Sequence, residues 1–354
     1  MNPSYLATPK DHKRTAGMGK KTGVLLVNLG TPDGTDYWSM RRYLREFLWD
    51  ARVIEVPRVI WWVILHVFIL TIRPFKSGAA YASIWDKQRN ASPLRVITED
   101  TAAKVQKKLG KDVLVRFAMR YGQPNIPTVL SEMQAAGCGR IRVLPLYPQY
   151  AAATTGTVVD EVARWLLKQR WQPSIEIIPP YYDHPAYITA IAGSVRDYIK
   201  TLKWQPEVVV ASFHGLPLKY CTKGDVYYCH SHKSARLIAE ALGWEFCRTV
   251  AEVEASKSKK PKLLLTFQSR FGKEVWLQPY TDYSLVDLAK AGIKNVLVVC
   301  PGFAADCVET LEEIALEGRD EFLEAGGKNY AVVPCLNDGL GGIDVIYKVL
   351  NPDT

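Results

Sequence analysis

The chain has 354 residues, of which 48% are hydrophobic and 23% charged, with a formal net charge of +9. That length suits two domains better than one core, and the composition excludes disordered and fibrous classes. The basic balance favours an anionic ligand or surface, but no basic stripe or recognition motif points to nucleic acid.

Residues 1–20 are polar and basic, lack the apolar core of a secretory signal, and read as a flexible tail. The first strand is expected over 24–29, turned by Gly30-Thr31-Pro32. The longest uncharged apolar run follows at 59–72; it contains Trp61, Trp62 and Ile64 and is bounded by Arg58, Arg73 and Pro74. It is shorter than the roughly 20 residues that span a bilayer. It reads as a buried helix, or as an exposed apolar lip that grips a flat ligand or dips into a membrane interface. Short β-branched or aliphatic runs then recur at 113–117, 141–146, 175–178, 208–213, 263–267, 296–299 and 330–333. Helical periodicity fills 97–109, 158–169, 231–242 and 308–322 between them. Strands alternating with helices predict βαβ units and a mainly parallel sheet, an α/β fold. Prolines at 179–185 mark a boundary, dividing the chain into 21–182 and 183–354.

The two halves echo each other in the same order. Asn28-Leu29-Gly30-Thr31-Pro32 recurs as Phe213-His214-Gly215-Leu216-Pro217, and Phe117–Gly122 as Phe267–Gly272. Residues 137–144 recur as 292–299. This is the signature of a duplicated α/β domain. The copies differ where chemistry is plausible: position 29 is Leu and its counterpart 214 is His.

Sites in doubly wound folds lie beyond the carboxyl ends of strands. Three segments there carry unusual residues: His214, 147–157 and 302–309. His214 leaves an apolar strand just before Gly215 and is a competent base near neutral pH; the plain alternative is a hydrogen-bonded strand-end histidine. Glu309, Glu313 and Glu317 are four apart and share one face of a helix. Such a row repels itself, guides a hard or borderline cation, or simply compensates a helix dipole. HExxH, GxGxxG and the Walker lysine are absent. Cys221, Cys229, His230 and His232 fit no compact zinc spacing and read as polar residues on a surface loop. Thr154-Thr155-Gly156-Thr157 reads equally as an anion site or as ordinary helix capping. The seven cysteines are dispersed without a CxxC, the pattern of reduced thiols in a cytoplasmic protein.

Taken together, SFHGLP (212–217), TFQSRFG (266–272) and CPGFAADCVETLEEI (300–314) resemble ferrochelatase, the terminal enzyme of haem synthesis. VNLGTPD (27–33), FLWDARVIEVPR (47–58), SPL (92–94), MRYG (119–122) and LPLYPQYAAATTGTV (144–158) extend the likeness in family order. The resemblance is to bacterial, membrane-peripheral members. It implies two similar Rossmann-like, chelatase-type domains with parallel sheets, a cleft between them, and last helices that cross back to the first domain. The expected activity is insertion of ferrous iron into protoporphyrin IX by ring distortion and pyrrole deprotonation. His214 and Glu309 would be catalytic, and His214, Glu309, Glu313 and Glu317 would handle the metal. Arg120, Tyr121, Trp276, Trp61 and Ile64 would contact the porphyrin, with the lip over 47–75. No cofactor beyond substrate Fe²⁺ is expected, since the cysteine-rich tail of [2Fe–2S]-bearing members is lacking. The resemblance also implies a monomer or homodimer in the cytoplasm, peripheral on the inner face of the membrane, with no nucleic-acid partner. The competing readings are iron insertion into coproporphyrin III, a cobalt or nickel chelatase, and a non-catalytic porphyrin carrier.

Overall fold

The computed structural model describes Gly19 and residues 21–351; apart from Gly19, the expected tail over 1–20 lies outside the described residues. Two parallel sheets follow one another along the chain. The first contains β1 (Lys21–Gly30), β2 (Val113–Tyr121), β3 (Cys138–Pro145) and β4 (Ser174–Ile177), in the order β2-β1-β3-β4. The second contains β5 (Val208–His214), β6 (Glu245–Cys247), β7 (Lys262–Gln268), β8 (Asn295–Val299) and β9 (Asn329–Val332), in the order β6-β7-β5-β8-β9. All pairings are parallel. Helices cover both faces, so the central strands read as continuous apolar runs: Val208 to Phe213 is buried throughout.

Replacing β2, β1, β3 and β4 by β7, β5, β8 and β9 reproduces the first order in the second sheet, so the sequence echoes fall on equivalent strand ends. Strand β6, three residues on an edge, has no counterpart and was too short to register as a periodic run. Both copies carry a cis Gln-Pro bond after the second echo, at Gln123-Pro124 and Gln278-Pro279.

Helix α1 (Tyr37–Trp49) is capped by Asp36, whose carboxylate accepts from the amides of Trp38 and Ser39. It packs along α2 (Arg58–Ile84). In the sequence this element is an uncharged apolar run over 59–72, too short to span a bilayer. Instead it runs on as one helix, with a π-helical stretch at Ile64–Ile69, and is long and apolar enough to cross a bilayer. An interior proline strips its helix of one hydrogen bond and orphans the carbonyl four residues back. Here that carbonyl, Leu70 O, accepts from Tyr37 Oη at 3.1 Å and from the Arg41 guanidinium, both on α1. The helix therefore continues through the proline at little cost.

Helix α3 (Pro93–Leu109) starts at a Ser92 cap with proline in its first turn. Further on, α4 (Ile126–Ala135), α5 (Thr157–Leu166), α6 (Pro185–Thr201), α7 (Leu218–Thr222), α8 (Tyr227–Leu242), α9 (Val250–Ala255) and α10 (Thr281–Lys290) connect the strands. The segment after β8 is a π-helix, Glu309–Glu317, continuing as α11 (Gly318–Glu324). The last helix, α12 (Leu340–Leu350), packs on α3 of the first half and α6 of the second. Lys104 and Lys108 of α3 pair with Asp338 and Asp344. One core cluster accordingly spans both halves, joining Val24, Leu26 and Leu144 to Val209, Phe213 and Ile346.

Candidate active site

A cavity opens between the halves. It lies where both sheets end. Asn28, Leu29 and Gly30 come from β1, Leu146 to Thr154 from the segment after β3, His214 from β5, and Gly302 to Glu309 from the segment after β8. Tyr81, Ile84 and Ser92 to Leu94 close one side. The three segments singled out in the sequence thus converge, and Leu29 faces the same space as its counterpart His214.

His214 is the last residue of β5, paired with Gln268 of β7. The chain turns immediately: Gly215 donates its N–H to Gln268 O at 2.7 Å, and a Cβ at 215 would lie 2.7 Å from that oxygen. Only glycine permits this approach. The duplicated turn behaves alike, since a Cβ on Gly30 would lie 1.8 Å from Tyr121 O. His214 Nδ1 sits 2.7 Å from Gly215 O. A carbonyl only accepts, so this contact places the neutral ring's proton on Nδ1 and leaves Nε2 as the base.

Glu309 is held from behind. Gln268 Nε2 donates to Glu309 O at 2.9 Å, while Gln268 Oε1 accepts from Ser212 Oγ at 2.7 Å. Ser212 also contacts Thr281 Oγ1 at 2.9 Å, which donates to Thr266 Oγ1 at 2.8 Å. This buried network fixes the strand bearing His214 against the first turn of the acidic helix. Gln268 stood in an echoed motif but carried no residue-level signal of its role.

Glu313 is tucked under the cleft. It accepts from Ser269 N at 2.7 Å and from Ser269 Oγ. Ser269 adopts φ +63°, a left-handed conformation costly for a residue with a Cβ and concentrated at functional sites. Burial pushes the Glu313 carboxyl above the usual carboxylate range, and the Glu309 charge adds to this; the Ser269 hydrogen bonds and the His214 charge pull it back. Glu317 is exposed. The row therefore runs from cleft to surface, on a π-helix rather than the expected α-helix. Burial and nearby acids raise Glu312 too, against Lys76. Around the cleft, burial pushes the Tyr81 phenol up, with Glu309 contributing, and drives the Cys307 thiol well up. Tyr147 Oη is buried and has no partner.

The five expected porphyrin contacts do not line this cavity. Arg120 is buried, ion-paired with Asp50 and donating to Thr157 O at 3.0 Å; its guanidinium lies 4.3 Å from the centre of the Tyr121 ring. Tyr121 is buried too and donates to Asp50 at 3.1 Å. Trp61 faces α1, with Nε1 donating to Leu48 O at 2.7 Å. Ile64 lies on the exposed side of α2. Trp276 packs behind Gly215, buried and with Nε1 unpartnered. Their motifs gave position along the chain but not the direction of the side chain.

His230 and His232 lie on α8, not on a surface loop. His230 stacks on Tyr182 at 3.6 Å and accepts from Tyr150 N, while His232 packs against Tyr228 and Phe267. Among the described residues, no three His, Cys, Asp or Glu side chains converge to hold a metal ion. The seven cysteines are free thiols.

The family model for ferrochelatase matches residues 21–353. The chain is 52% identical to the ferrochelatase of Rhizobium meliloti over 332 residues, covering 93% of this chain and 94% of that protein. It is 51% identical to the ferrochelatase of Allorhizobium ampelinum over 344 residues, covering 97% and 95%. The solved structure of SirB from Bacillus subtilis with Fe³⁺ is similar at a TM-score of 0.51 and 12% identity, covering 94% of this chain and 97% of that one; this supports the fold alone. The duplicated parallel sheets, the shared cleft and these matches carry one conclusion: the chain belongs to the ferrochelatase family.

Proposed function

We infer that this chain is a metal chelatase inserting ferrous iron into protoporphyrin IX, with His214 and Glu309 performing the proton and metal chemistry. Family membership favours iron insertion over the cobalt, nickel and carrier readings. The observation that carries the residue assignment is the meeting of a histidine base and a carboxylate on one largely apolar cleft between the halves.

Metallation must remove two inward-pointing N–H protons from a flat macrocycle while the cation sheds water. Leu29, Leu94, Leu146, Phe303 and Val308 offer apolar walls to the ring. Binding across such walls supplies the energy that bends the ring, a strain of about 1–5 kcal/mol. His214 Nε2 takes a pyrrole proton. The carboxylates at 317, 313 and 309 form a path along which the hydrated cation exchanges water for oxygen ligands. The half-buried Glu313, raised in pKa, takes up and holds a proton more readily than an ordinary carboxylate. Iron is the substrate, and the reading assigns no resident cofactor or cluster.

We also read the enzyme as cytoplasmic and peripheral on the membrane. Val59, Phe68, Ile72 and Phe75 of α2 are exposed, while its Trp61, Leu65 and Leu70 pack on the protein. A helix apolar on its outer side and anchored on its inner side suits an interfacial position better than a span. The test of the chemistry is anaerobic incubation with Fe²⁺ and protoporphyrin IX, following the change from free-base to metalloporphyrin absorption. H214A and E309Q should lose turnover while retaining porphyrin fluorescence quenching. Near-normal turnover in both, with porphyrin bound, would sink the assignment.

A further inference from the structure

We propose that the basin between α1 and α2 is a binding site for the headgroup of an anionic phospholipid. The proposal rests on the peripheral-membrane reading and names the lipid class that α2 meets. The basin has a volume of about 630 Å³ and shares no lining residue with the catalytic cleft. On α1, Trp38, Arg42, Arg45 and Trp49 are spaced i, i+4, i+7 and i+11, a single helical stripe, and all four are exposed. Arg42 and Arg45 line the basin, with Trp49 at its edge and Trp62 and His66 of α2 opposite. The two basin residues of α2 stack on each other, ring centres 4.9 Å apart. They adjoin the exposed apolar Val59, Val63 and Val67 on the same helix.

The basin's charge is unbalanced. Among the described residues no carboxylate lies within 4.0 Å of Arg42 or Arg45; Arg42 donates only to Ser39 Oγ at 3.0 Å. Among the described residues most other arginines pair with a carboxylate, whereas these two, one turn apart on α1, do not. The acids on the basin wall are occupied: Asp33 sits 3.9 Å from Arg95, and Glu46 accepts the Gly122 N–H at 3.0 Å, with burial raising its carboxyl. Beside it, Arg58 donates to Trp49 O at 2.9 Å and sets its guanidinium 5.4 Å from the Trp49 ring centre, fixing that indole at the edge of the basin. Tryptophans flanking arginines beside an inserted apolar strip match the chemistry of the headgroup layer: aromatic rings at the acyl boundary, cations on phosphate.

The full chain should be titrated with vesicles of phosphatidylcholine alone and of phosphatidylcholine mixed with phosphatidylglycerol, reading co-sedimentation. Wild type should bind the mixed vesicles more tightly. R42Q/R45Q should lose about 30-fold on mixed vesicles and nothing on neutral ones. K257Q/K259Q removes the same charge from the loop before β7, at the opposite end of the second sheet, and should stay near wild type. F68S/I72S should weaken binding to both vesicle types. Equal losses for R42Q/R45Q and K257Q/K259Q, or none for either, would overturn the headgroup site while leaving membrane association intact. Failure of wild type to bind any vesicle would overturn the membrane reading and the site with it. Unchanged far-ultraviolet circular dichroism and urea resistance check that each variant is folded.

Discussion

The carboxyl ends of β1 and β5 are two copies of one turn that have parted in chemistry. Each ends on a glycine pressed against the backbone of the neighbouring strand, and each sends the preceding residue into the same cleft. In the first copy that residue is Leu29; in the second it is His214. The parallel extends to the next crossover. After β3 a short π-turn, Ala152–Gly156, leads into α5 and offers the neutral Thr154 to the cleft; after β8 a longer π-helix, Glu309–Glu317, offers the Glu309 carboxylate. The shared backbone builds the cavity, and side-chain divergence gives one wall to the apolar ring and the other to protons and metal.

Breaking that asymmetry is the most severe test. His214→Leu makes the second copy match the first at this position. General-base catalysis is worth about 10²–10⁴-fold, so iron insertion should fall by that factor with porphyrin affinity kept. A loss below tenfold in the anaerobic assay would show that the base lies elsewhere.

The second echo sharpens the comparison through stability. Arg120 and Arg270 are equivalent, but Arg120 pairs with Asp50 in the interior whereas Arg270 pairs with Asp282 near the surface. Removing one partner of a buried pair strands the other charge, so R120A should cost about 3–5 kcal/mol, read as lowered resistance to urea. R270A should cost at most about 1 kcal/mol. Equal losses would contradict the buried role assigned to Arg120.

Ser269→Ala probes the half that carries charge. The hydroxyl stabilises ionised Glu313 against its burial. A carboxyl whose folded pKa is already raised loses its charge as pH falls through that pKa. Without the Ser269 bond the pKa rises further, so the acid limb of the pH–rate profile should move to higher pH. A stationary limb would remove Glu313 from the rate-determining chemistry. The smallest effect belongs to the apolar half: L29A should raise KM for porphyrin by about tenfold or less with kcat unchanged, the mark of uniform binding. A fall in kcat alone would mean that Leu29 helps bend the ring.

Much of this was written in the linear pattern. Apolar runs bounded by turns set the strands, because a strand covered on both faces must be apolar at nearly every position. The echoes set the duplication, and with it the oddity of His214 and the acidic row after β8. What the pattern could not hold was direction and irregular backbone. Arg120, Tyr121 and Trp276 stand in diagnostic motifs yet turn into the protein, because their partners Asp50, Thr157 and Gly215 are remote in sequence. The continuation of α2 past Pro74 depended on donors from α1, and the left-handed Ser269 on the carboxylate it meets. Local periodicity follows from which surfaces each segment must bury, and that information is carried residue by residue. Orientation, hydrogen-bond closure and strain depend on partners brought together only when two sheets and their crossovers pack, so tertiary structure alone decided them.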